Sequence, residues 1–464
     1  MKLSIKTILK ATNGALLSKK EKRFFYKIRI DSRTVTDKDL FVAIIGETHN
    51  GHNFIKQALN AGAEGFIINR DHADKVMQDI SLVKNPIIIS VNDTTKTLGD
   101  IARFIRDKSE ISVAAITGSN GKTTTREMAA SVLRQKFSTH STQKNYNNEI
   151  GLPLTLFEIA PENKWAVLEL GISRPGEMTR LGQICAPNIG VILNIGNAHL
   201  EGLGSIEGVM KAKTELLGQI KSKGTAVLNG DDPMLINARK DYDGKTVVFG
   251  YLNKEKKYDI TATNPEKKDK KIYFKLITPD RQTDITLPIN AFFMIHNALA
   301  AASVGYIAGL SIDDIKKGLE NFTPPKDRID FITTEKKFTI INDAYNANPD
   351  STKAAFSLLS DIKGKKFAVL GDMLELGKDS EKLHFQIGKT AAKSGISGLF
   401  ATGDFSLHIK KGAINSGFNP KNIVTGTKEH IAEILNNILK AKDTVLVKGS
   451  RGNFMEQLIE KIRD

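Results

Sequence analysis

The chain has 464 residues, of which 40% are hydrophobic and 26% charged, the usage of a globular protein and not of a disordered or fibrous one. At about 150 residues per domain, this length predicts three domains. A single cysteine, Cys185, excludes an intramolecular disulfide framework. Lysine and arginine number 67 against 52 acidic residues, a net charge of +15 that suits nucleic acid, a membrane surface or a polyanionic small substrate.

Targeting and membrane signals are not found in the sequence. The N-terminal stretch MKLSIKTILKATNG has too short an apolar run for a secretory signal and soon meets a glycine. No uninterrupted apolar run approaches the ~20 residues that a membrane-spanning helix needs. We therefore expect a soluble, cytoplasmic protein.

Three successive α/β units are predicted along the chain. In the first, residues 1–107, helical stretches at 54–61 and 99–110 accompany short β-rich runs, which are LFVAI, GFIIN and PIIISV. In the second, residues 108–325, the strand ISVAAIT leads into a glycine turn and a helix at 123–136. Later buried runs separated by helical stretches predict a mostly parallel sheet, and they are WAVLELG, IGVILNIG, TAVLNG and TVVFG.

The second unit ends differently from how it begins. The runs IYFKLIT and DITLPI lie close together and alternate polar with apolar residues, which predicts an antiparallel appendage. A helix at 296–308 then closes the unit. The sheet of this unit is therefore expected to be parallel in its body and antiparallel at one edge.

The third unit, residues 326–464, resumes the alternation of strand and helix. Its strands are FTIINDAY, KFAVLGD, GLFATGD and TVLVKG, with helices near 351–360, 381–394, 428–441 and 453–463. Glycine and polar residues end these strands, at the edge where open α/β sheets bind ligands. The predicted fold class is α/β with three domains, a small N-terminal one, a central one with a mostly parallel sheet and a C-terminal Rossmann-like one.

The clearest local motif is TGSNGKTT, which follows the first strand of the second unit. Glycines let the backbone approach phosphate oxygens, Lys122 can meet the charges of β- and γ-phosphates, and the Thr123 hydroxyl can reach Mg²⁺. A full eight-residue phosphate loop would place glycine where the chain has Ile116, so this is a shortened variant. A plain glycine turn is the alternative, and the flanking strand and helix favour nucleotide binding by Gly118, Ser119, Asn120, Gly121, Lys122, Thr123 and Thr124.

Two further side chains are expected at the same edge of the central sheet. Glu169 ends the strand WAVLEL, and His199 follows the strand VILNIG. A carboxylate and an imidazole there could bind a second Mg²⁺, although histidine is an uncommon ligand for this ion. His199 by itself is interpreted equally well as a polar residue at a strand end.

A set of motifs occurs in order along nearly the whole chain, namely DSRTVTDKDLFVAIIGETHNGHNFI, TGSNGKTT, KNYNNEIGLPLTL, LELG, NAHLEG with AKTE, HNALAAA, DAYNANPDS, GDMLELG and KGSRG. This order resembles the Mur ligases, ATP-dependent enzymes that form amide bonds in peptidoglycan precursor synthesis. The last three motifs look most similar to members that add D-alanyl-D-alanine to UDP-N-acetylmuramoyl-tripeptide. The resemblance implies these two substrates, ATP, two Mg²⁺ ions and an acyl-phosphate mechanism, and the +15 charge suits such polyanions.

The resemblance also implies roles for individual residues. For the uridine nucleotide substrate they are Ser32, Arg33, Asn145, Asn147 and Asn148. For ATP they are the phosphate loop, Asn297 at the adenine, and Arg328 and Asp343 from the third unit. Around the metals they are Thr123, Glu169, His199 and Lys213, the last at the position of the lysine that the family carbamylates. Lys122, Glu169, His199 and Lys213 form the implied catalytic group, and Lys448, Ser450 and Arg451 are expected near the incoming dipeptide.

The sequence departs from the family pattern at two positions. The usual Asp-Gly of the N-terminal motif is Asn50-Gly51 here. A second asparagine often follows His-Asn three residues on, where this chain has Ala300. One expected adenine contact is therefore missing from the pattern.

Several alternatives stay open at this point. A sibling ligase could add a single amino acid to the same precursor, and folylpolyglutamate synthetase shares the phosphate loop and metal residues but not the N-terminal motif. A nucleic-acid-stimulated ATPase would suit the charge, but the lysines are scattered and no strand interleaves aromatic residues for base stacking. A binding protein without catalysis is the simplest alternative. We expect a monomer that binds no nucleic acid.

Overall fold

The computed structural model describes residues 2–18, 23–80, 86–253, 255–289, 291–324 and 328–463. Three main sheets follow one another along the described chain, each built from one continuous part of it. The α/β fold class predicted from the sequence is confirmed. The boundaries at 107 and 325 stay predictions, and residue 325 itself lies outside the described residues.

The N-terminal sheet has the strand order β2-β7-β6-β5-β4. Strands β4 to β7 are parallel, β2 is antiparallel to β7, and β1 pairs separately with β3. The strands are β1 Leu3–Ser4, β2 Ala15–Leu16, β3 Phe24–Phe25, β4 Ile28–Arg29, β5 Leu40–Val42, β6 Gly65–Asn69 and β7 Ile87–Val91, and the helices are α1 Ile5–Thr12, α2 Ile55–Asn60, α3 Ala73–Ile80 and α4 Thr94–Lys108. Helix α4 begins earlier than predicted because the Asp93 carboxylate caps it by accepting from the Lys96 amide.

The central sheet has the strand order β16-β15-β14-β13-β12-β11-β8-β10-β9. It is parallel from β9 to β14 and antiparallel from β14 to β16, which confirms the parallel body and the antiparallel appendage. Its strands are β8 Ser112–Thr117, β9 Thr139–Ser141, β10 Trp165–Glu169, β11 Ile189–Ile192, β12 Thr225–Asn229, β13 Lys245–Gly250, β14 Ile260–Lys268, β15 Lys271–Ile277 and β16 Gln282–Leu287.

Helices cover this sheet and follow most of its strands. They are α5 Lys122–Leu133, α6 Gly151–Phe157, α7 Glu177–Cys185, α8 Leu200–Leu203, α9 Ile206–Thr214, α10 Pro233–Ala238, α11 Met294–Ile307 and α12 Ile312–Glu320. Strand β8 lies between β10 and β11, so connections leave it towards both sides of the sheet. Such a switch point opens a crevice at the carboxyl ends of the strands, which is where α/β proteins bind ligands.

The C-terminal sheet has the strand order β17-β18-β22-β19-β20-β21 and is parallel apart from the β17–β18 pair. Its strands are β17 Asp330–Thr333, β18 Thr339–Asp343, β19 Lys366–Leu370, β20 Gly398–Ala401, β21 Ile423–Thr425 and β22 Thr444–Lys448. Its helices are α13 Pro349–Ser360, α14 Ser380–Lys393, α15 Ser406–Ile414, α16 Lys428–Ile438 and α17 Glu456–Arg463. The strands that were not predicted are β1, β2, β3, β4, β9, β14, β17 and β21, and all of them except β14 have four residues or fewer.

Neighbouring units are joined by buried contacts. The Arg106 side chain in α4 is buried and donates from Nε to the Cys185 carbonyl at 2.8 Å and from Nη2 to the Ala186 carbonyl at 3.0 Å. One cluster of buried apolar side chains extends from the central sheet into the C-terminal sheet. No helix in the described parts of the chain combines the length and the apolar character needed to cross a membrane.

Candidate functional site

The TGSNGKTT segment forms a turn between β8 and α5, as predicted. Gly118 and Gly121 have φ angles of +153° and +84°, a region that side-chain-bearing residues rarely adopt. A Cβ on Gly121 would lie 2.5 Å from Oδ1 of Asn297, so glycine is required there for space as well. The loop thus lies against Asn297 and leads into the N-terminus of α5, where backbone N–H groups without intrahelical partners favour an anion.

Lys122 folds back over its own loop. Its Nζ donates to the carbonyls of Gly118 at 2.8 Å and Ser119 at 3.4 Å. Burial lowers the pKa of the Lys122 ammonium, and the nearby Glu169 carboxylate opposes that change. The side chain is therefore held in the position where the charge of a bound phosphate would meet it.

Glu169, at the end of β10, connects the phosphate-loop helix with the asparagine-rich loop. Its Oε2 accepts from Oγ1 of Thr123 at 2.8 Å and lies 3.4 Å from Nη1 of Arg126. Its Oε1 accepts from Nδ2 of Asn147 at 2.9 Å. Arg126 was not predicted for the site, although it stands four residues after Lys122, one helical turn along α5.

His199 lies just before α8 with a left-handed backbone, at φ +56°. Its Nδ1 contacts the carboxylate of Glu375 and lies 3.3 Å from Oγ of Ser173. The hydrogen bond with His199 lowers the pKa of the Glu375 carboxyl. Glu375 belongs to the GDMLELG motif of the C-terminal unit, and its role here was not predicted.

Lys213 in α9 is buried, with 1% of its surface exposed. A lysine inside a helix is by default a solvated surface charge, whereas Lys213 is withdrawn from solvent. Burial lowers the pKa of Lys213 well below its usual range, and the ammonium of Lys122 lowers it further. The structure thus holds a desolvated amine, with its pKa lowered, near the lysine of the phosphate loop.

A cleft of about 580 Å³ opens between the phosphate loop and the C-terminal sheet. The guanidinium of Arg328 stacks over the ring of Tyr345 at 4.3 Å. Nζ of Lys448 pairs with the Asp343 carboxylate and donates to the carbonyl of Asn346 at 3.0 Å. Predicted residues that line the cleft are Ser119, Asn120, Gly121, Lys122, Thr124, Asn297, Arg328, Asp343 and Lys448.

The three residues expected near the dipeptide have different surroundings. Lys448 is buried beside Asp343 in the cleft. Ser450 is buried and bonded to backbone, donating to the carbonyl of Ala347 at 3.1 Å and accepting from the Leu374 amide at 2.9 Å. Arg451 is exposed, and its Nη1 lies 3.2 Å from Oε1 of Glu456. Only Lys448 of the three lines the cleft.

The residues expected at the uridine substrate lie on two segments. Oγ of Ser32 donates to Oε1 of Gln57 at 3.0 Å, while Arg33 is exposed and pairs with Asp31. In the asparagine-rich loop, Asn145 is exposed, and Oδ1 of Asn148 accepts from the Gly151 amide at 2.9 Å at the start of α6. Asn147 is the residue of this loop that reaches Glu169.

Both departures from the family pattern have a structural account. Oδ1 of Asn50 accepts from the amide of His52 at 3.0 Å and bonds its Nδ1 at 2.7 Å, two contacts that an aspartate could also accept. Ala300 has no exposed surface within α11 and does not line the cleft. Position 300 therefore contributes to packing in this chain.

Asp231 is a cleft residue that was not predicted, although it lies two residues after β12. Its Oδ2 accepts from Nε2 of His296 at 2.9 Å and from the backbone amides of Tyr251 and Leu252 at 2.9 and 3.2 Å. Burial opposes the ionised carboxyl, but these bonds and one from Tyr258 outweigh it and hold its pKa well below the usual range. A fixed negative charge therefore lies at the cleft end near α11.

The donor set at Glu169 fits a hard divalent cation. Within the described residues, no three or more His, Cys, Asp or Glu side chains converge on one point. A metal would therefore depend on oxygens of other origin, and the Thr123 hydroxyl lies 2.8 Å from the Glu169 carboxylate. Nucleotide phosphates in the adjacent loop would supply further oxygen ligands.

The fold and site define a nucleotide-binding α/β protein of the phosphate-loop class, with a second α/β unit over the cleft. Three family models match the chain, which are described as the Mur ligase family catalytic domain at 25–106, the Mur ligase middle domain at 116–305 and the Mur ligase glutamate ligase domain at 327–451. The chain belongs to the Mur ligase family. This confirms the family resemblance inferred from the motifs.

Relatives match over nearly the whole length. UDP-N-acetylmuramoyl-tripeptide--D-alanyl-D-alanine ligase of Buchnera aphidicola is 36% identical over 99% of this chain and 98% of that protein. A crystal structure of MurF from Acinetobacter baumannii, 30% identical, aligns with a TM-score of 0.90 over 100% of this chain and 99% of that one. The MurF ligase of Thermotoga maritima in complex with ADP, 29% identical, aligns with a TM-score of 0.82 over 94% of this chain and 97% of that one.

Proposed function

We propose that this protein is an ATP-dependent ligase that joins D-alanyl-D-alanine to the peptide carboxylate of UDP-N-acetylmuramoyl-tripeptide in peptidoglycan precursor synthesis. The observation that carries the proposal is the full-length match to relatives with this name, at 36% identity over 99% of the chain. The phosphate loop facing a cleft shared with the C-terminal sheet supports the use of ATP. So does the solved relative in complex with ADP.

The reaction must activate a carboxylate, because forming an amide from a carboxylate and an amine in water is unfavourable. The substrate carboxylate attacks the γ-phosphorus of ATP, the bond to ADP breaks, and an acyl phosphate forms. The dipeptide amine then attacks the acyl carbon and loses a proton, and the tetrahedral intermediate collapses with release of phosphate. Lys122 places positive charge beside the transferred phosphoryl group, where the two anions repel each other.

We propose two Mg²⁺ ions at the site, which when bound would supply charge that offsets the phosphate repulsion. Thr123 and Glu169 provide oxygen donors, and His199 provides an imidazole. We further propose that Lys213 is carbamylated. Its burial supports this, because carbamylation requires a neutral amine and yields an anionic group that binds a cation.

The remaining roles are proposals that follow from family membership. Asn297 would contact the adenine, and its position against Gly121 is compatible with that role. Arg328 and Asp343 would close on ATP from the C-terminal unit, and both line the cleft. The uridine substrate would contact Ser32, Arg33, Asn145, Asn147 and Asn148, and the dipeptide would approach Lys448, Ser450 and Arg451.

The organisation of the chain is also proposed. The units 1–107, 108–325 and 326–464 would act as the uridine-substrate, ATP-binding and ligase domains. We propose a monomer, which light scattering coupled to gel filtration would test. A cytoplasmic location would suit a protein that consumes ATP and a nucleotide-linked precursor.

The alternatives have less support. A diaminopimelate-adding sibling ligase and a folylpolyglutamate synthase share this fold, but at only 17% and 15% identity, whereas relatives named for the dipeptide ligase are 36% and 35% identical. A nucleic-acid-stimulated ATPase has only the net charge in its favour.

A phosphate-release assay with paired substrates tests the proposal. The protein is incubated with ATP, Mg²⁺, UDP-N-acetylmuramoyl-tripeptide and either D-alanyl-D-alanine or one of a panel of single amino acids. We expect phosphate release that needs both the tripeptide precursor and the dipeptide. Release of similar rate with a single amino acid, or with DNA in place of the precursor, would replace the proposal by one of the alternatives.

A further inference from the structure

The contact between Glu375 and His199 joins the C-terminal and central units. Glu375 follows β19, and His199 precedes α8, 176 residues earlier in the chain. The backbone supports the contact, because the Glu201 amide donates to the Glu375 carbonyl at 3.0 Å. A Cβ on Gly377 would lie 3.2 Å from Cα of Glu201, so the end of the GDMLELG motif packs closely on α8.

Both partners have an unusual backbone. His199 has φ +56° and Glu375 has φ +61°, the left-handed region that residues other than glycine rarely adopt. Such conformations persist where surrounding structure maintains them, and they are concentrated at functional sites. The side chains of these two residues contact each other, so we infer that the contact has a role beyond attaching the two units.

We propose that Glu375 is a positioning residue for His199. Its carboxylate accepts the proton of Nδ1, which fixes the tautomer and orientation of the ring and leaves Nε2 as the nitrogen free to bind a metal. Histidines that bind metals usually donate their other ring N–H to a carboxylate or carbonyl in this way. The inference rests on the proposed function, because it takes His199 to be part of the metal site.

The positioning role would make the metal site depend on contact between two units, because Glu375 and His199 belong to different ones. His199 belongs to the central unit with the phosphate loop, whereas its orienting carboxylate comes from the unit across the cleft. The Glu375 carboxylate can therefore orient the imidazole only while the two units are in contact, whereas Oγ of Ser173, 3.3 Å from Nδ1, belongs to the same unit as His199. Docking of the C-terminal unit would complete the metal site, and an open form would bind the second ion more weakly.

A simple attachment role is the alternative, and the chain offers a matched control for it. Asp361 in the C-terminal unit pairs with Lys267 of the central unit at 2.9 Å, and neither residue lines the cleft. Asp361→Asn therefore removes a carboxylate from a contact between the same two units without touching His199. If attachment alone mattered, this variant and Glu375→Gln would behave alike.

The experiment measures Mn²⁺ binding by electron paramagnetic resonance, with a non-hydrolysable ATP analogue present and no turnover. We expect Glu375→Ala to weaken the second Mn²⁺ site by about 10- to 100-fold, the usual effect of removing such a carboxylate partner. Glu375→Gln, which keeps an oxygen acceptor, should fall between Glu375→Ala and the wild type. Asp361→Asn should match the wild type.

Nitrogen-15 spectra of histidine-labelled protein supply a second readout that does not depend on metal. The His199 signals, assigned by their loss in His199→Gln, should show a proton on Nδ1 in the wild type and a mixture of tautomers in Glu375→Ala. Unchanged Mn²⁺ affinity and an unchanged tautomer in Glu375→Ala would overturn the positioning role. If His199→Gln itself left Mn²⁺ binding intact, the metal assignment of the proposed function would fail instead.

Discussion

Asn348 donates its side-chain amide to Oδ1 of Asn120 at 2.8 Å, across the cleft between the C-terminal unit and the phosphate loop. Asn120 is held from its other side by Asn194 after β11, through Asn120 N to Asn194 Oδ1 at 2.8 Å and Asn194 Nδ2 to Asn120 O at 3.1 Å. A chain of three amides therefore joins the end of β11, the phosphate loop and the start of α13.

Asn348 is also the N-cap residue of α13, which fixes its position relative to the C-terminal unit. Its Oδ1 accepts from the backbone amide of Ser351 at 2.8 Å, and its backbone amide donates to Oγ of Ser351 at 3.1 Å, which forms a capping box on α13. The residue that touches the phosphate loop is thus fixed to a helix of the C-terminal unit. This side chain therefore couples movement of that unit to the loop.

Substitution of Asn348 by serine separates its contact with Asn120 from its capping of α13. Serine is a good N-cap, so α13 should keep its start, but its side chain is too short to reach Asn120. We expect Asn348→Ser to unfold at nearly the wild-type temperature and to show a several-fold higher KM for ATP. Calorimetric melting and steady-state kinetics check both parts, and an unchanged KM would show that the amide contact has no role in nucleotide binding.

Domain closure is predicted to accompany ligand binding. Lys122 in the central unit and Arg328 and Asp343 in the C-terminal unit line the same cleft, so ATP between them should draw the units together. The hinge candidate is Pro324-Pro325, of which Pro325 lies outside the described residues. We expect small-angle scattering to give a smaller radius of gyration with an ATP analogue and the uridine substrate together. Superimposable curves would count against a hinge.

Replacing Lys122 by alanine should abolish most turnover and leave the fold intact. The lysine ammonium neutralises charge on the transferred phosphoryl group, and contributions of this kind are worth on the order of 10²–10³ in rate. Phosphate release and circular dichroism measure the two effects. Lys136→Ala, which removes an exposed lysine just after the same helix, is the control and should retain near wild-type activity. Near-normal phosphate release by Lys122→Ala would refute the phosphate-loop assignment.

Lys213→Ala should be nearly inactive and should regain some activity when a short free carboxylate such as acetate is supplied. The carboxylate would take the place of the carbamate that we propose on the buried amine. Lys211→Ala is the matched control, because Lys211 lies on the same helix but is exposed. Its activity should be close to wild type and indifferent to acetate. Full activity of Lys213→Ala without acetate would exclude the carbamate and leave the ligase assignment in place.

His52 is predicted to make the N-terminal unit sensitive to acid. Burial lowers the pKa of His52 to about 4, and the ring of His72, stacked at 4.1 Å, adds to this. Its Nε2 accepts from the Asn69 amide at 2.9 Å, so the folded protein holds the neutral ring. In the unfolded chain the ring takes up a proton near its ordinary pKa of about 6.5. Stability is therefore lost as pH falls from about 6.5 towards about 4, by on the order of 1–3 kcal/mol.

His52→Gln tests this pH dependence, because glutamine can accept a hydrogen bond but does not titrate in this range. The melting temperature of the wild type should fall more steeply between pH 7 and pH 5 than that of His52→Gln. An NMR titration of the His52 ring should find it neutral at pH 5. Parallel melting curves for the two proteins would show that His52 is not the source of the acid sensitivity.

Sequence by itself determined the α/β class, the parallel central sheet with its antiparallel edge, and the phosphate loop. Each depends on residues close together in the chain. Apolar runs between helical stretches specify buried parallel strands, and a glycine turn between β8 and α5 specifies the loop, whatever the rest of the molecule does. The boundaries of helices were less accurate, because a capping side chain such as Asp93 decides where a helix starts.

Tertiary structure alone decided which side chains meet. Asn120 and Asn348 are 228 residues apart, and His199 and Glu375 are 176 apart, so no local pattern relates them. Burial likewise lowers the pKa of Lys213, a residue that the helical pattern alone would place on the surface. The physical reason is that desolvation and contacts between distant segments depend on how the sheets pack together, whereas local sequence specifies only the elements that are packed.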